Sequence, residues 1–212
     1  MFQKNLEERF EAKRPAGRPR SQVSRTAILQ AAYSFLQSLP VASISILHIA
    51  RKAGVSSATV YRWWPTKEAL LLEAFLDKAD RAAIPLCEGT PLQRLKQYVL
   101  LVGRFFSGES GVVVARLLTA IQDNPTLRRE FMEQAFSPRN DEFRAIVREA
   151  MEQRQLPAET VVTDFLDTII GPLLTRLLFR HKEIDEDFVS AVFDRVVAGT
   201  IAQAANGQVP GS

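Results

Sequence analysis

The eighteen residues from Gly54 to Leu71, GVSSATVYRWWPTKEALL, leave the backbone few options. Gly54 is free to turn the chain through a positive φ. Ser56 follows as a side chain able to cap a new helix. Pro65 ends that helix after about two turns, and Thr66 caps the next. Around this segment, from Ala12 to Lys67, 56 residues pass without one Asp or Glu, although 24% of the chain is charged. A surface that lies against phosphates needs such a gap, because every carboxylate there would repel the polymer.

The charge is divided along the chain. Residues 1–67 hold eleven Lys/Arg and three Asp/Glu, a balance of +8, whereas residues 68–212 hold sixteen and twenty-one, a balance of −5. A basic head on an acidic body points to a head that alone touches a polyanion. Nearly half the residues are apolar, 46%, enough for a substantial core. Cys87 is the single cysteine, so no intrachain disulfide can form, which fits a reducing compartment. MFQKNLEERF carries no apolar run of signal-peptide length. No segment offers ~18 uninterrupted apolar residues, so no membrane span is expected and the expected location is cytoplasmic.

After residue 21 the apolar spacing is helical nearly throughout and strand-like alternation is scarce, which predicts an all-α fold. Residues 1–20 read as a flexible basic arm ending in KRPAGRPR, where two prolines and a glycine oppose a helix. Residues 21–67 form the head. Its first helix, capped by Ser21 or Ser24, buries Ile28, Leu29, Ala32, Phe35 and Leu36. A short second helix starts after Ser45 with Ile46, Ile49 and Ala50 inward, and the third follows Ser56 with Val60 and Trp64 inward. A fourth helix runs from Lys67 to about Ala83 without Gly or Pro, a stiff rod joining head to body. Residues 68–205 are the helical body, with further helices expected over 91–106, 111–122, 125–135, 138–154, 158–180 and 186–205, and 206–212 as a flexible tail.

Catalytic and cofactor chemistry find no footing. His48 and His181 are the only histidines. HExxH, paired cysteines and a glycine-rich phosphate loop are all missing, so no enzyme activity, cofactor or metal is expected.

Residues 25–72 resemble the DNA-binding domain of the tetracycline-repressor (TetR) family of transcriptional regulators. The likeness rests on Ile28, Ala32 and Phe35, on IARKAGVS from Ile49 to Ser56, and on TVYRWWPTKEAL from Thr59 to Leu70. FLDTIIGPLLTRLLF, Phe165 to Phe179, resembles a segment of the family's divergent ligand-binding body. Two positions depart from the family pattern: the loop SLPVAS after the first helix, and His48 where an acid usually completes a capping box. The resemblance implies a helix-turn-helix head, a larger helical effector-binding and dimerisation domain, and a homodimer that binds an operator duplex. It further implies a repressor released by a small apolar or amphipathic molecule.

On this reading the third helix enters the major groove. Ser56, Ser57, Ala58, Thr59, Arg62 and Trp63 then lie nearest the DNA. Arg62 has two roles open to it, a guanine edge or a phosphate. Ala58 and the Thr59 methyl suit thymine methyls. Tyr61 matches the family's phosphate-contacting tyrosine, and Lys67 its lysine, placed where charge and a helix N-terminus can grip one phosphate. Ser45 is either a cap or a backbone contact. Trp64 is core and Trp63 points outward. Arg18 and Arg20 reach an adjacent minor groove or add only nonspecific attraction.

In the body, Phe105, Leu117, Ile121, Phe131, Phe143, Phe165 and Ile169 either line a ligand cavity or form ordinary core. Arg104, Arg116 and Arg176 stand on apolar segments and need an anion, from a ligand or from a protein carboxylate. Two apolar stripes run along each of the last two helices, so one side of each must be covered by a partner. Ile170, Leu174 and Leu177, with Phe188, Val192 and Val196, are the expected dimer interface.

Overall fold

The computed structural model describes residues 18–80 and 88–206. Ten α-helices and no strand occur among them. The head holds α1 (Arg18–Ser38), a 3-10 turn (Val41–Ser43), α2 (Ile46–Ala53) and α3 (Ser57–Trp63), and α4 (Lys67–Asp80) leads from it into the body. The body holds α5 (Pro91–Ser107), α6 (Glu109–Asp123), α7 (Pro125–Phe131), α8 (Ser137–Glu152), α9 (Val162–Phe179) and α10 (Glu186–Ala205).

Ser21 and Ser24, expected to cap the first helix, lie inside α1, which already begins at Arg18, but the other three expected caps are in place. Ser45, Ser56 and Thr66 accept the backbone N–H groups of His48, Thr59 and Ala69 at 3.2, 3.1 and 3.1 Å. Thr90 and Gln93 form a reciprocal capping box at the start of α5. Gly103 lets α5 press against α10, since a Cβ there would lie 2.6 Å from the Val189 side chain.

Three boundaries differ from the sequence reading. α1 begins at Arg18, inside the expected arm. Pro19 then sits in the first turn, where a missing N–H costs nothing and the fixed φ suits a helix. Residues 1–17 of the arm, Cys87, the 81–83 end of the expected fourth helix and 207–212 of the tail lie outside the described residues. Between α7 and α8 the chain does not break but widens into a π turn, Met132–Phe136, closed by Ser137 N–H donating to the Met132 carbonyl. α9 starts at Val162 and not Ala158. Thr160 turns its hydroxyl and its N–H onto the Pro157 carbonyl, at 2.7 and 3.1 Å, a local alternative to helix.

Two apolar cores hold these elements. One joins the head to α6 and α7: Ile28, Leu36, Ile49, Val60, Trp64 and Leu70 share it with Val113, Leu117, Leu127 and Phe131. The other joins α5, α8, α9 and α10 through Leu95, Val99, Phe143, Ile169, Leu173 and Val189.

Candidate nucleic-acid interface

The turn between α2 and α3 fixes how the third helix is presented. Gly54 has φ +69°, a left-handed conformation that side chains with a Cβ resist. Its N–H donates to the Arg51 carbonyl and the Val55 N–H to the Ala50 carbonyl, closing the end of α2. α3 then starts under the Ser56 cap. The Ser56 and Thr59 hydroxyls also meet at 2.9 Å. With its hydroxyl engaged, Thr59 offers its methyl more freely than its oxygen to a ligand.

α3 is seven residues long and buries one of its own side chains, Val60. Ala58, Tyr61 and Arg62 are exposed, Tyr61 to 54%, and Ser57 and Thr59 are half-buried. Trp64 is buried, as its spacing requires. Trp63 is half-buried, its ring 5.5 Å from that of Trp64, so only part of the indole faces outward.

Lys67 is half-buried at the start of α4, and its ammonium donates to the Val41 carbonyl at 3.1 Å. An ammonium has three N–H donors, so two remain for an anion. Val41 was absent from the sequence reading, because a main-chain acceptor leaves no trace in residue type. Ser45 is occupied as the α2 cap. The backbone of Arg18 and Arg20 lies in α1, and their side chains lie outside the described residues.

A second group that the sequence reading missed lies behind α3. Trp64 Nε1 donates to Glu73 Oε2 at 2.6 Å, and the other Glu73 oxygen pairs with Arg25 of α1. The signal was legible: Glu73 is a lone carboxylate among Leu70, Leu71, Leu72, Ala74 and Phe75, all of them buried.

The body departs further from expectation. Arg104 pairs in the open with Glu186 at 2.8 Å. Arg116 donates to the Leu36 carbonyl. Arg176 donates to the Glu183 carbonyl and lies over the Phe188 ring. Each therefore has a protein partner. The expected pocket residues also divide between the two cores. Leu117, Ile121, Phe131 and the half-buried Phe105 belong to the head-side core, and Phe143, Phe165 and Ile169 to the other. A groove of about 480 Å³ opens between the start of α9 and the end of α10, with one expected pocket residue, Phe165, in its walls beside Thr168, Arg195, Gly199 and Gln203.

The dimer face needs a correction in register. Leu177, 5% exposed, is locked in the head-side core, and Val192 is buried in the other. Neither can reach a partner from the folded protomer. Ile170, Leu174, Phe188 and Val196 are half-buried against the protomer's own helices. The large apolar groups left uncovered on α9, α10 and their flanks are Val161, Leu178, Phe179 and Ile201. Both stripes of each helix are apolar, and composition alone did not say which one turns inward.

Comparison with known proteins agrees with this architecture. Residues 28–74 match the family described as bacterial regulatory proteins, tetR family, and residues 88–196 the tetracyclin repressor-like C-terminal domain. The HTH-type transcriptional regulator YdeS of Bacillus subtilis (strain 168) is 30% identical over 190 residues, covering 89% of this chain and 96% of YdeS. The crystal structure of the TetR family transcription regulator SCO0332 superposes with a TM-score of 0.61 at 25% identity, covering 83% of this chain and 97% of that one. The transcriptional regulator FadR from Bacillus subtilis, solved in complex with stearoyl-CoA, shares the fold with a TM-score of 0.67 at 17% identity, covering 82% and 98%.

Proposed function

The chain belongs to the TetR family of bacterial regulatory proteins and is a helix-turn-helix transcriptional regulator, and we propose that it works as an operator-binding homodimer released by a small apolar or amphipathic effector. One observation carries the DNA half of this reading. α3 is capped, stands with Ala58, Tyr61 and Arg62 exposed, and belongs to a stretch from Ala12 to Lys67 that contains no carboxylate. Inserted N-terminus first into a major groove, α3 brings Ala58, Thr59 and Arg62 to base edges. Tyr61 and Lys67 hold the flanking phosphates.

The dimer half rests on α10. Its composition gives a mean hydropathy of 1.2 over an 18-residue window, yet only 17% of that window is buried in the protomer. Asp194 and Arg195 lie mid-helix, so a second protein surface suits it better than lipid. Two copies about a two-fold axis bring two reading helices to half-sites ~34–36 Å apart, or a multiple of that.

The effector half is supported by the fold shared with a FadR that is solved with stearoyl-CoA. A body without effector, serving dimerisation alone, is the second reading. The division of the expected pocket residues between two closed cores favours it. One experiment tests the DNA, dimer and effector readings together: selection of bound sequences from random duplex DNA, then a screen of acyl and other amphipathic compounds for release of the selected site. Enrichment of a near-palindrome supports the operator and dimer readings. An operator that no compound releases leaves the body a dimerisation module.

A further inference from the structure

We infer that Glu73 is a positioning residue for sequence reading: it bolts the end of α3 to α4 and α1 and so sets the angle at which α3 meets DNA. The inference rests on the reading that α3 enters the major groove. α3 has little of its own to hold it. It is two turns long and buries Val60 alone. Its start is fixed by the Gly54 turn and the Ser56 cap. Its end is Trp64, whose backbone N–H returns to the Val60 carbonyl at 3.0 Å and whose ring sinks into the core.

The one polar atom of that ring is answered by Glu73. The carboxylate divides its oxygens between two elements. Oε2 takes the Trp64 indole N–H at 2.6 Å, and Oε1 takes the Arg25 guanidinium of α1. Arg25 itself lies 6.0 Å from the centre of the Trp64 ring, which closes the triangle. Apolar packing tolerates sliding, whereas a short charge-assisted hydrogen bond specifies one distance and one direction. Glu73 sits in the middle of α4, between the Lys67 turn and the body. An α4 that tilts therefore carries the C-terminal end of α3 with it.

Glutamine at 73 keeps an acceptor for Trp64 but gives up the charge that holds Arg25. Phenylalanine at 64 keeps most of the ring but gives up the donor. The experiment measures the affinity of the full-length protein for its selected duplex and for a random duplex, in Glu73→Gln, Trp64→Phe and the double variant. Thermal midpoints are recorded alongside. Each single variant should lose about tenfold or more on the selected site and little on random DNA, because one charge-assisted bond is lost from the geometry that sequence reading needs. The double variant should lose less than the product of the two single losses, since both changes act through the one carboxylate that joins Trp64 to Arg25. Full site preference in Glu73→Gln overturns the inference, as do equal losses on both duplexes or losses that multiply. If Glu73→Gln is too unstable to assay, Trp64→Phe alone decides by the same ratio. A wild-type protein that enriches no site overturns the DNA reading itself, before any variant is made.

Discussion

Leu177 and Phe179 stand two residues apart at the end of α9 and should answer truncation in opposite ways. Leu177 is 5% exposed and packed in the head-side core, whereas Phe179 is 77% exposed. Fully burying a Phe is worth about 1.5–3 kcal/mol. Some three-quarters of that is still available at Phe179, about 1–2 kcal/mol per copy on the same scale. A two-fold interface counts it twice, so Phe179→Ala should weaken dimerisation by about 2–4 kcal/mol, some 30- to 1000-fold in the dissociation constant. The protomer loses only the quarter of the side chain it had buried, so its stability at dilution below the dimer constant should change by less than about 1 kcal/mol. Leu177→Ala should do the reverse: about 2–5 kcal/mol off the protomer, as for other buried Leu→Ala changes, with no contact of its own lost across the dimer. Sedimentation over a concentration series reads the first quantity, and denaturant melts at high dilution the second. A Phe179→Ala protein with an unchanged dimer constant refutes the reasoning, because an uncovered aromatic on α9 would then face only water.

Lys67→Ala should weaken binding to all duplexes alike and lower the slope of log affinity against log salt by about one unit; an unchanged slope means that Lys67 serves only the Val41 carbonyl. Arg62→Ala should cost ~1–3 kcal/mol on the selected site, and equal loss on random DNA assigns Arg62 to a phosphate. Gly54→Ala should destabilise the head by about 1–2 kcal/mol, since φ there is left-handed and space for a methyl does not relieve the strain; a chemical melt with an unshifted midpoint overturns that. Any compound that releases the operator must itself bind more weakly to the DNA-bound protein, by the factor through which it weakens DNA. A dissociation constant unaffected by saturating operator removes the allosteric account.

Legibility followed the locality of the physics. Caps, turns and the buried Trp64 depend on residues within four positions of one another, so Ser45, Gly54, Ser56 and Thr66 could be read from their neighbours. The bounds of α10 were read to the residue, because Asp185 is a cap and the helix is apolar to its end. What failed was orientation. α9 and α10 are apolar on two sides, and the inward side is chosen by α5 and α6, far away in sequence. The partners of the three body arginines were hidden for the same reason. These partners, the Leu36 and Glu183 carbonyls and Glu186, are groups whose availability only the fold reveals. Glu73 was legible as an anomaly, but its partners Trp64 and Arg25 were not.

The cores divide the molecule differently from the composition. Charge changes sign near Lys67, but burial does not stop there. α6 lies along the head and is tied to it at both ends. At its start Glu109 accepts from Gln37 at 3.0 Å and Ser110 meets the Tyr33 hydroxyl at 3.3 Å. At its end the Asn124 amide donates to Glu68, next to Lys67, at 3.3 Å. α1, α4, α6 and α7 therefore pack as one unit with the reading helix. The second unit carries α10 and the open face. Among the described residues, Phe106 and Ile184 are the half-buried apolar side chains packed against both cores. α9 crosses the seam within one turn, with Leu173 in one core and Leu177 in the other. The π turn Met132–Phe136 crosses it too, between Phe131 and Phe143. A close-packed interior transmits a shift instead of absorbing it. On the proposed effector reading, a molecule wedged at this seam would act on the proposed DNA surface by a short route, by displacing α6 and α7 and with them the first turn of α4, where Lys67 stands.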